Sequence, residues 1–282
     1  VNRNKRAEAA QETLRIIEQG YYQAPGGRRI DLQADIDKAL EDTLYYREDA
    51  FGTVLEQVKT KAADLTFKTE IAVRNTGALE AAAKMAATGA PTGCLNFASA
   101  KNPGGGFLGG AQAQEESLAL SSALYPTLMK HFEMYTYNRA RSTYLYADHM
   151  IYSPGVPVFR DDNGALLTQP YRLSFVTSPA INIGAMQQNN PAELAFARET
   201  MLRRMDKVLS LFVYHGIEHV VLGAWGCGVF KNDPRDIAAH FASFLKPGGK
   251  YSTCFKSVVF AIHGAADSPN STAFKQAFDY PQ

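Results

Sequence analysis

Cysteine is scarce and scattered: Cys94, Cys227 and Cys254 form an odd set with no CxxC in 282 residues, which excludes a disulfide framework and gives no zinc-binding pattern. A reducing, cytoplasmic location is the expectation. Long apolar runs are absent too. None approaches the roughly 18 residues that a membrane span needs, and the basic start VNRNKR leads into a polar, acidic stretch rather than the apolar core of a secretion signal, so no membrane association is expected. Nor is there an excess of charge: 29 Lys and Arg against 28 Asp and Glu leave a net +1, which gives no bulk attraction to a polyanion and no expectation of direct nucleic-acid binding. A negatively charged ligand would have to be held by a local pocket of aligned N–H groups. His215 and His219 have the i, i+4 spacing of a helical metal site, but Gly216 lies between them and HVVLGAW reads as a strand, so neither metal nor cofactor is expected. There are no internal repeats, low-complexity segments or Pro/Ser-rich linkers.

What is present is concentrated in NFASAKNPGGGFLGGAQAQEESLAL, residues Asn96 to Leu120. An apolar strand runs into Gly104, Gly105 and Gly106, where a backbone without Cβ can bring N–H groups against a phosphate or sugar. Gln114, Glu115 and Glu116 then enter a segment with helical spacing, so two adjacent carboxylates stand at a strand–loop–helix junction. No Lys-Ser or Lys-Thr follows the glycines, which excludes a Walker loop.

Taken in order, the chain opens with a helix over Ala7 to Gln19 stopped by Gly20, a hairpin or irregular loop over Tyr21 to Leu32, and helical spacing through QADIDKALEDTLYY. Residues 1–65 read as an N-terminal helical extension packed on a core of residues 66–282. From the strand Thr66 to Asn75 onward, strands and helices alternate: a helix from Ala78 to Ala87, the strand Gly93 to Ser99, the glycine loop, then helices to Leu124 and over Lys130 to Arg139. VPVFRDDNGALLT places a turn at Asp161 to Gly164 and predicts a protruding β-hairpin. The strand Tyr171 to Thr177, a loop, a helix from Ala192 to Tyr214 and the strand from His219 to Gly223 follow. A second glycine loop, AWGCGVFKNDP, leads to a helix opened by Pro234. A last strand, Lys256 to Ile262, and a helix from Ser271 close the chain. Such alternation predicts an α/β layered fold with ligands beyond the carboxyl ends of the strands, where both glycine loops fall.

GGG followed after seven residues by QEE resembles the fingerprint of the bacterial-type poly(ADP-ribose) glycohydrolases, a macrodomain family, and GCGVF is similar to that family's phosphate-binding loop. The resemblance covers roughly Thr66 to Ile262. It implies a three-layer α/β/α macrodomain with a mixed, largely parallel sheet, and hydrolysis of the ribose–ribose O-glycosidic bond in poly(ADP-ribose), mainly from the chain end. By resemblance, Gly226, Cys227, Gly228, Val229 and Phe230 hold the diphosphate, with the Phe230 ring on the distal ribose or adenine. Gly104 to Gly106 approach the diphosphate and the adjoining ribose.

Because such a bond breaks through an oxocarbenium-like state, one carboxyl must protonate the departing oxygen and water must then be activated. Glu116 is the expected acid and base, with Glu115 on ribose hydroxyls and Gln114 supporting the loop. The residue that orients the reacting ribose is one of Asn96, Ser99 and Asn102, with Asn102 the first choice for its place beside the glycines. Cys227 at a helix start invites a nucleophile reading, which the lack of a nearby histidine in sequence disfavours. The implied partners are poly(ADP-ribose), ADP-ribose and ADP-ribosylated proteins, acted on by a monomer, with DNA damage response as the implied setting. Competing readings are a non-catalytic ADP-ribose reader, which needs the glycines but not QEE, a hydrolase of single ADP-ribose units on acceptor proteins, and a nucleotide-sugar hydrolase, which would normally require a metal.

Overall fold

The structure, a computed structural model, describes residues 2–278. Helix α1 (Arg3–Gln19) starts at Asn2, whose side chain accepts from the Lys5 N–H, and stops at Gly20 with φ +74°. The hairpin expected next is present as β1 (Tyr21–Gln23) and β2 (Arg29–Asp31), followed by α2 (Gln33–Asp42). The LYY at the end of the expected helix is instead an edge strand, β3 (Leu44–Tyr46). Thr43 ends α2, its hydroxyl bonding back to the Ala39 carbonyl at 2.5 Å, and pairing with another strand then outweighs helical spacing. An unexpected helix follows, α3 (Phe51–Asp64), with Phe51, Val54 and Val58 buried.

The alternating region then runs β4 (Glu70–Arg74), α4 (Ala78–Ala86), β5 (Thr92–Phe97), α5 (Gln114–Ser121), α6 (Leu124–Lys130), α7 (Glu133–Arg139), β6 (Met150–Arg160) and β7 (Leu166–Ser178). It continues with α8 (Ile183–Asn189), α9 (Ala197–Tyr214), β8 (His219–Leu222), α10 (Pro234–Leu245), β9 (Ser257–Ala261) and α11 (Pro269–Phe278). Helix α8 lies where a plain loop was expected, and α9 starts at Ala197 rather than Ala192 because the residues from Pro191 to Phe196 form tighter 3₁₀ turns.

Seven strands form one mixed sheet in the order β3-β6-β7-β5-β8-β9-β4. The run β7-β5-β8-β9-β4 is parallel, and β6 and β3 are added antiparallel at one edge. Alternation along the strands feeds two cores: Leu95, Val176 and Val220 face α3, α9 and α10, whereas Cys94, Phe175 and Val221 face α2, α4 and α6. Helices thus cover both faces, the three-layer arrangement expected. Because β3 and α3 belong to this sheet and core, residues 44–64 are built into the layers rather than set apart from them.

Two features outside the layers support the region of interest. Helix α1 packs on the 3₁₀ turn Phe107–Gly109 and on α5, where Ala10, Phe107 and Ala119 form a small core of their own. Arg3 and Arg6 each donate Nε–H to the carbonyls of Gly109 and Gly110 at 2.8 Å, and a Cβ on Gly110 would overlap the Arg3 carbonyl. The Asp161–Gly164 turn does not protrude. It folds back so that the Asp162 carboxylate accepts from the N–H groups of Leu79 and Glu80 (3.4 and 2.7 Å), capping α4, whose own N-cap position is a glycine.

Candidate active site

The centre of the molecule is the junction of β5 with α5. Strand β5 is paired with β8 over Thr92 to Cys94 and with β7 over Gly93 to Phe97, and the loop after it returns to α5 after the glycines. Gln114 ties the two together: its Oε1 accepts from the Phe97 N–H at 2.8 Å and its Nε2 donates to the Leu95 carbonyl at 2.7 Å.

Glu115 points into the protein. Its side chain is almost fully buried, Oε2 accepting from the Ser99 N–H at 2.6 Å and Oε1 from Asn96 Nδ2 at 3.3 Å. Burial pushes its carboxyl up to about 8; the N–H of Ser99 and the Asn96 amide pull the other way, and the neighbouring Glu116 charge adds to the rise. Asn96 also donates to Thr177 Oγ1 at 3.1 Å, while its Oδ1 has no partner among the described residues.

Glu116 turns toward the glycines and accepts from the Gly106 N–H at 3.0 Å. Gly105, at φ +60°, lies against both carboxyls. A Cβ there would overlap the Glu116 carboxylate and stand 3.3 Å from Glu115 Oε2, so only glycine admits the pair. Two of this loop's N–H groups are consumed within it: Gly105 serves the Asn102 carbonyl and Gly106 Glu116.

The second loop joins β8 to α10 and behaves differently. The N–H groups of Gly228, Val229 and Phe230 meet no acceptor among the described residues, and Val229 is 83% exposed. The loop's base is fixed by Asn232, whose Nδ2 donates to the carbonyls of Ile181 (2.8 Å) and Gly226 (3.0 Å), and by buried Trp225, which donates to Ser178 O at 3.2 Å. Pro234 is the first residue of α10, as expected, behind an Asp233 cap.

A cleft of about 610 Å³ connects the two loops. Phe97, Ser99, Gln114, Glu115 and Glu116 line it on one side, and Gly226, Gly228, Val229 and Phe230 on the other. Gly77 after β4 and Ile262 and His263 after β9 also line it, positions that sequence reading passed over although parallel pairing brings their strand ends to the same edge.

Of the three residues considered for orienting a ribose, Ser99 lines the cleft, Asn96 lies buried behind Glu115, and Asn102 is exposed with its Oδ1 taken by Arg139 at 3.1 Å. Cys227 faces away, toward a separate cavity of about 1440 Å³ between α8, α9, α10 and α11, and burial pushes its thiol up to about 12, which leaves no thiolate for attack. His215 and His219 are apart in role: His215 stacks on Tyr152 at 3.6 Å and meets the Tyr46 hydroxyl, and His219 meets Ser257. Among the described residues no three His, Cys, Asp or Glu side chains are grouped to hold a metal.

Also missed in the sequence is the brace behind Phe230. Arg204, fully buried, donates to the carbonyls of Leu145 (2.7 Å), Tyr146 (3.2 Å) and Pro179 (3.0 Å) and to Asp148. Burial would raise the Asp148 carboxyl, but Arg204, Arg203 and Lys207 hold it well below the usual range. This fixes Tyr146, at φ +57°, with its ring centroid 6.0 Å from that of Phe230. No local pattern marks Arg204, which reads as one more polar position on a long helix.

The family model "Microbial-type PARG, catalytic domain" matches residues 10–161, while no curated protein matches the chain. The crystal structure of poly(ADP-ribose) glycohydrolase from Thermomonospora curvata is 43% identical, with TM-score 0.93 over 98% of this chain and 100% of that one. The same enzyme bound to the inhibitor ADP-HPD is 42% identical, with TM-score 0.88 over the same shares. The enzyme from Deinococcus radiodurans in complex with ADP-ribose is 35% identical, with TM-score 0.81 over 89% of this chain and 98% of that one. With more than half of the chain matched by the family model and nearly all of it by a 43% identical relative, the chain belongs to the microbial-type poly(ADP-ribose) glycohydrolase catalytic-domain family.

Proposed function

We propose that this protein hydrolyses the ribose–ribose O-glycosidic bond of poly(ADP-ribose) at the junction of β5 and α5, with Glu116 as general acid and then base. The family supplies the reaction, and the observation that carries the residue assignment is the carboxyl pair packed on Gly105 at one end of a cleft whose other end offers unpaired N–H groups. The three free donors of Gly228 to Phe230 suit a diphosphate, which needs no lysine or arginine when backbone dipoles converge on it. That binding sets the attached ribose beside Glu116.

Burial pushes the Glu115 carboxyl up to about 8, which removes one negative charge from beside Glu116 near neutral pH. An incoming diphosphate adds negative charge and excludes water, both of which favour the protonated form of a carboxyl beside it. In the reaction, Glu116 gives a proton to the oxygen leaving C1″ as the C1″–O bond breaks. Water then adds to C1″ and returns a proton to Glu116. Glu115 and the Ser99 hydroxyl, both on the cleft wall, hold the ribose hydroxyls. Of the residues weighed for that task, Ser99 is favoured over Asn102 by its position.

A terminal unit is the substrate we assign, with release of ADP-ribose one at a time. No helix among the described residues is long and apolar enough to cross a membrane, and a cytoplasmic monomer acting on ADP-ribosylated proteins is our working assignment. The test is chromatography of products from purified poly(ADP-ribose) and, separately, from a mono-ADP-ribosylated protein, with a chelator present. ADP-ribose released from polymer alone is the expected result. Release from the mono-modified protein would make the chain an acceptor hydrolase, and tight binding without release would make it a reader.

A further inference from the structure

Beyond the cleft, on the other side of the glycine loop, a guanidinium is fixed in place with no carboxylate to meet it. Arg139, near the end of α7, donates Nε–H to the Lys101 carbonyl at 2.7 Å and Nη2–H to Asn102 Oδ1 at 3.1 Å, and its Cζ lies 5.1 Å from the centroid of Phe132. A guanidinium carries five N–H donors, so these two bonds leave three free. Neither Arg139 nor Lys101 has an ion-pair partner among the described residues. Long surface arginines are usually mobile; this one is preorganised by two bonds to the turn that precedes Gly104 and by the Phe132 ring.

Its position relative to the chemistry gives it a use. The cleft extends from Glu116 toward Gly226–Phe230 and the ends of β9 and β4, so an ADP-ribose that fills it leaves the group on the far side of C1″ facing the glycine turn. That turn is closed by the bond from Gly105 N–H to the Asn102 carbonyl at 3.0 Å, with Glu116 on its inner face and Arg139 on its outer face. In the polymer, the departing oxygen belongs to the adenosine ribose of the preceding unit, and the 5′ carbon of that same ribose carries a diphosphate. We infer that Arg139, with Lys101 beside it, binds the diphosphate of the departing unit, forming a subsite for the leaving side of the scissile bond.

This rests on the glycohydrolase reading above. It makes a distinction that the cleft alone does not make: the two positive side chains act on substrates whose leaving group is another ADP-ribose unit, and not on the terminal unit itself. Charge-assisted bonds to phosphate are among the stronger polar contacts, and an exposed site of this kind weakens as salt rises.

The experiment compares wild type, Arg139→Gln, Arg139→Lys and Lys101→Gln on two substrates, poly(ADP-ribose) and an ADP-ribose glycoside of a small neutral phenol, at low and high salt. Expected is a fall of about tenfold in kcat/KM on polymer for Arg139→Gln, carried by KM, against less than about twofold on the phenol glycoside. Lys101→Gln falls less on polymer, Arg139→Lys recovers most of the loss, and the polymer defect shrinks as salt increases. If both substrates fall together, Arg139 merely holds the glycine turn and the inference is overturned. It is equally overturned if neither substrate responds. Failure of wild type on both substrates would instead remove the glycohydrolase reading, and the subsite with it.

Discussion

The two glycine loops sit at the same edge of one sheet and look alike in sequence, yet their backbone donors point to different things. In the first, the N–H of Gly106 is satisfied by Glu116 and Gly105 packs on both carboxyls with no room for a Cβ, so the loop is a mould for the pair. In the second, the N–H groups of Gly228, Val229 and Phe230 are left open toward the cleft, while Asn232 and Trp225 hold the base of the loop. Glycine in one place makes room for a side chain of the protein, and in the other makes room for a ligand. The division also answers an electrostatic difficulty. A helix start favours ionised carboxylates, but burying Glu115 raises its carboxyl by more than the surrounding N–H groups lower it.

Four substitutions sharpen that contrast. The largest effect is expected from Glu116→Gln, which keeps the shape of the first loop and removes the transferable proton: kcat on poly(ADP-ribose) should fall by about 10²–10⁴-fold with little change in ADP-ribose affinity, read by steady-state kinetics and titration calorimetry. Next is Gly105→Ala. Its methyl would displace the Glu116 carboxylate, and a loss of about 10²-fold in kcat is expected, again with binding largely kept. Val229→Pro removes one free donor from the second loop and should show the opposite pattern, ADP-ribose bound about tenfold more weakly while saturating polymer restores most of kcat.

A separate effect is expected on stability. A carboxyl whose folded value is raised is ionised more easily in the unfolded chain, so its contribution is complete below about pH 4.5 and is lost as pH rises toward 8. Thermal unfolding of wild type should therefore weaken between pH 5 and 8 relative to Glu115→Gln, by on the order of a few kcal/mol at most. Parallel curves for the two proteins across that range would show that Glu115 is ionised throughout.

The alternating half of the chain was legible because its strands are flanked by glycine stops and its helices by caps, and QEE and GCGVF marked the two loops directly. What stayed hidden depends on partners far away in sequence. Strand β3 is three residues whose Tyr46 needs Phe51 and His215 to be buried, and α3 shows its apolar face only against α9. Asn102 looked like a site residue for its place beside the glycines, but Arg139, 37 positions on, turns its side chain outward. Arg204 and Asp148 show the same limit: a buried charge cluster is invisible until the carbonyls it binds are in place.

The central claim is that the first loop organises the acid and the second binds the diphosphate, and the most direct measurement is titration of ADP-ribose into Gly105→Ala and Val229→Pro side by side. The account requires near wild-type affinity for Gly105→Ala and about tenfold weaker binding for Val229→Pro. The reverse order, with Gly105→Ala losing affinity and Val229→Pro keeping it, would contradict it and return the diphosphate to the first loop.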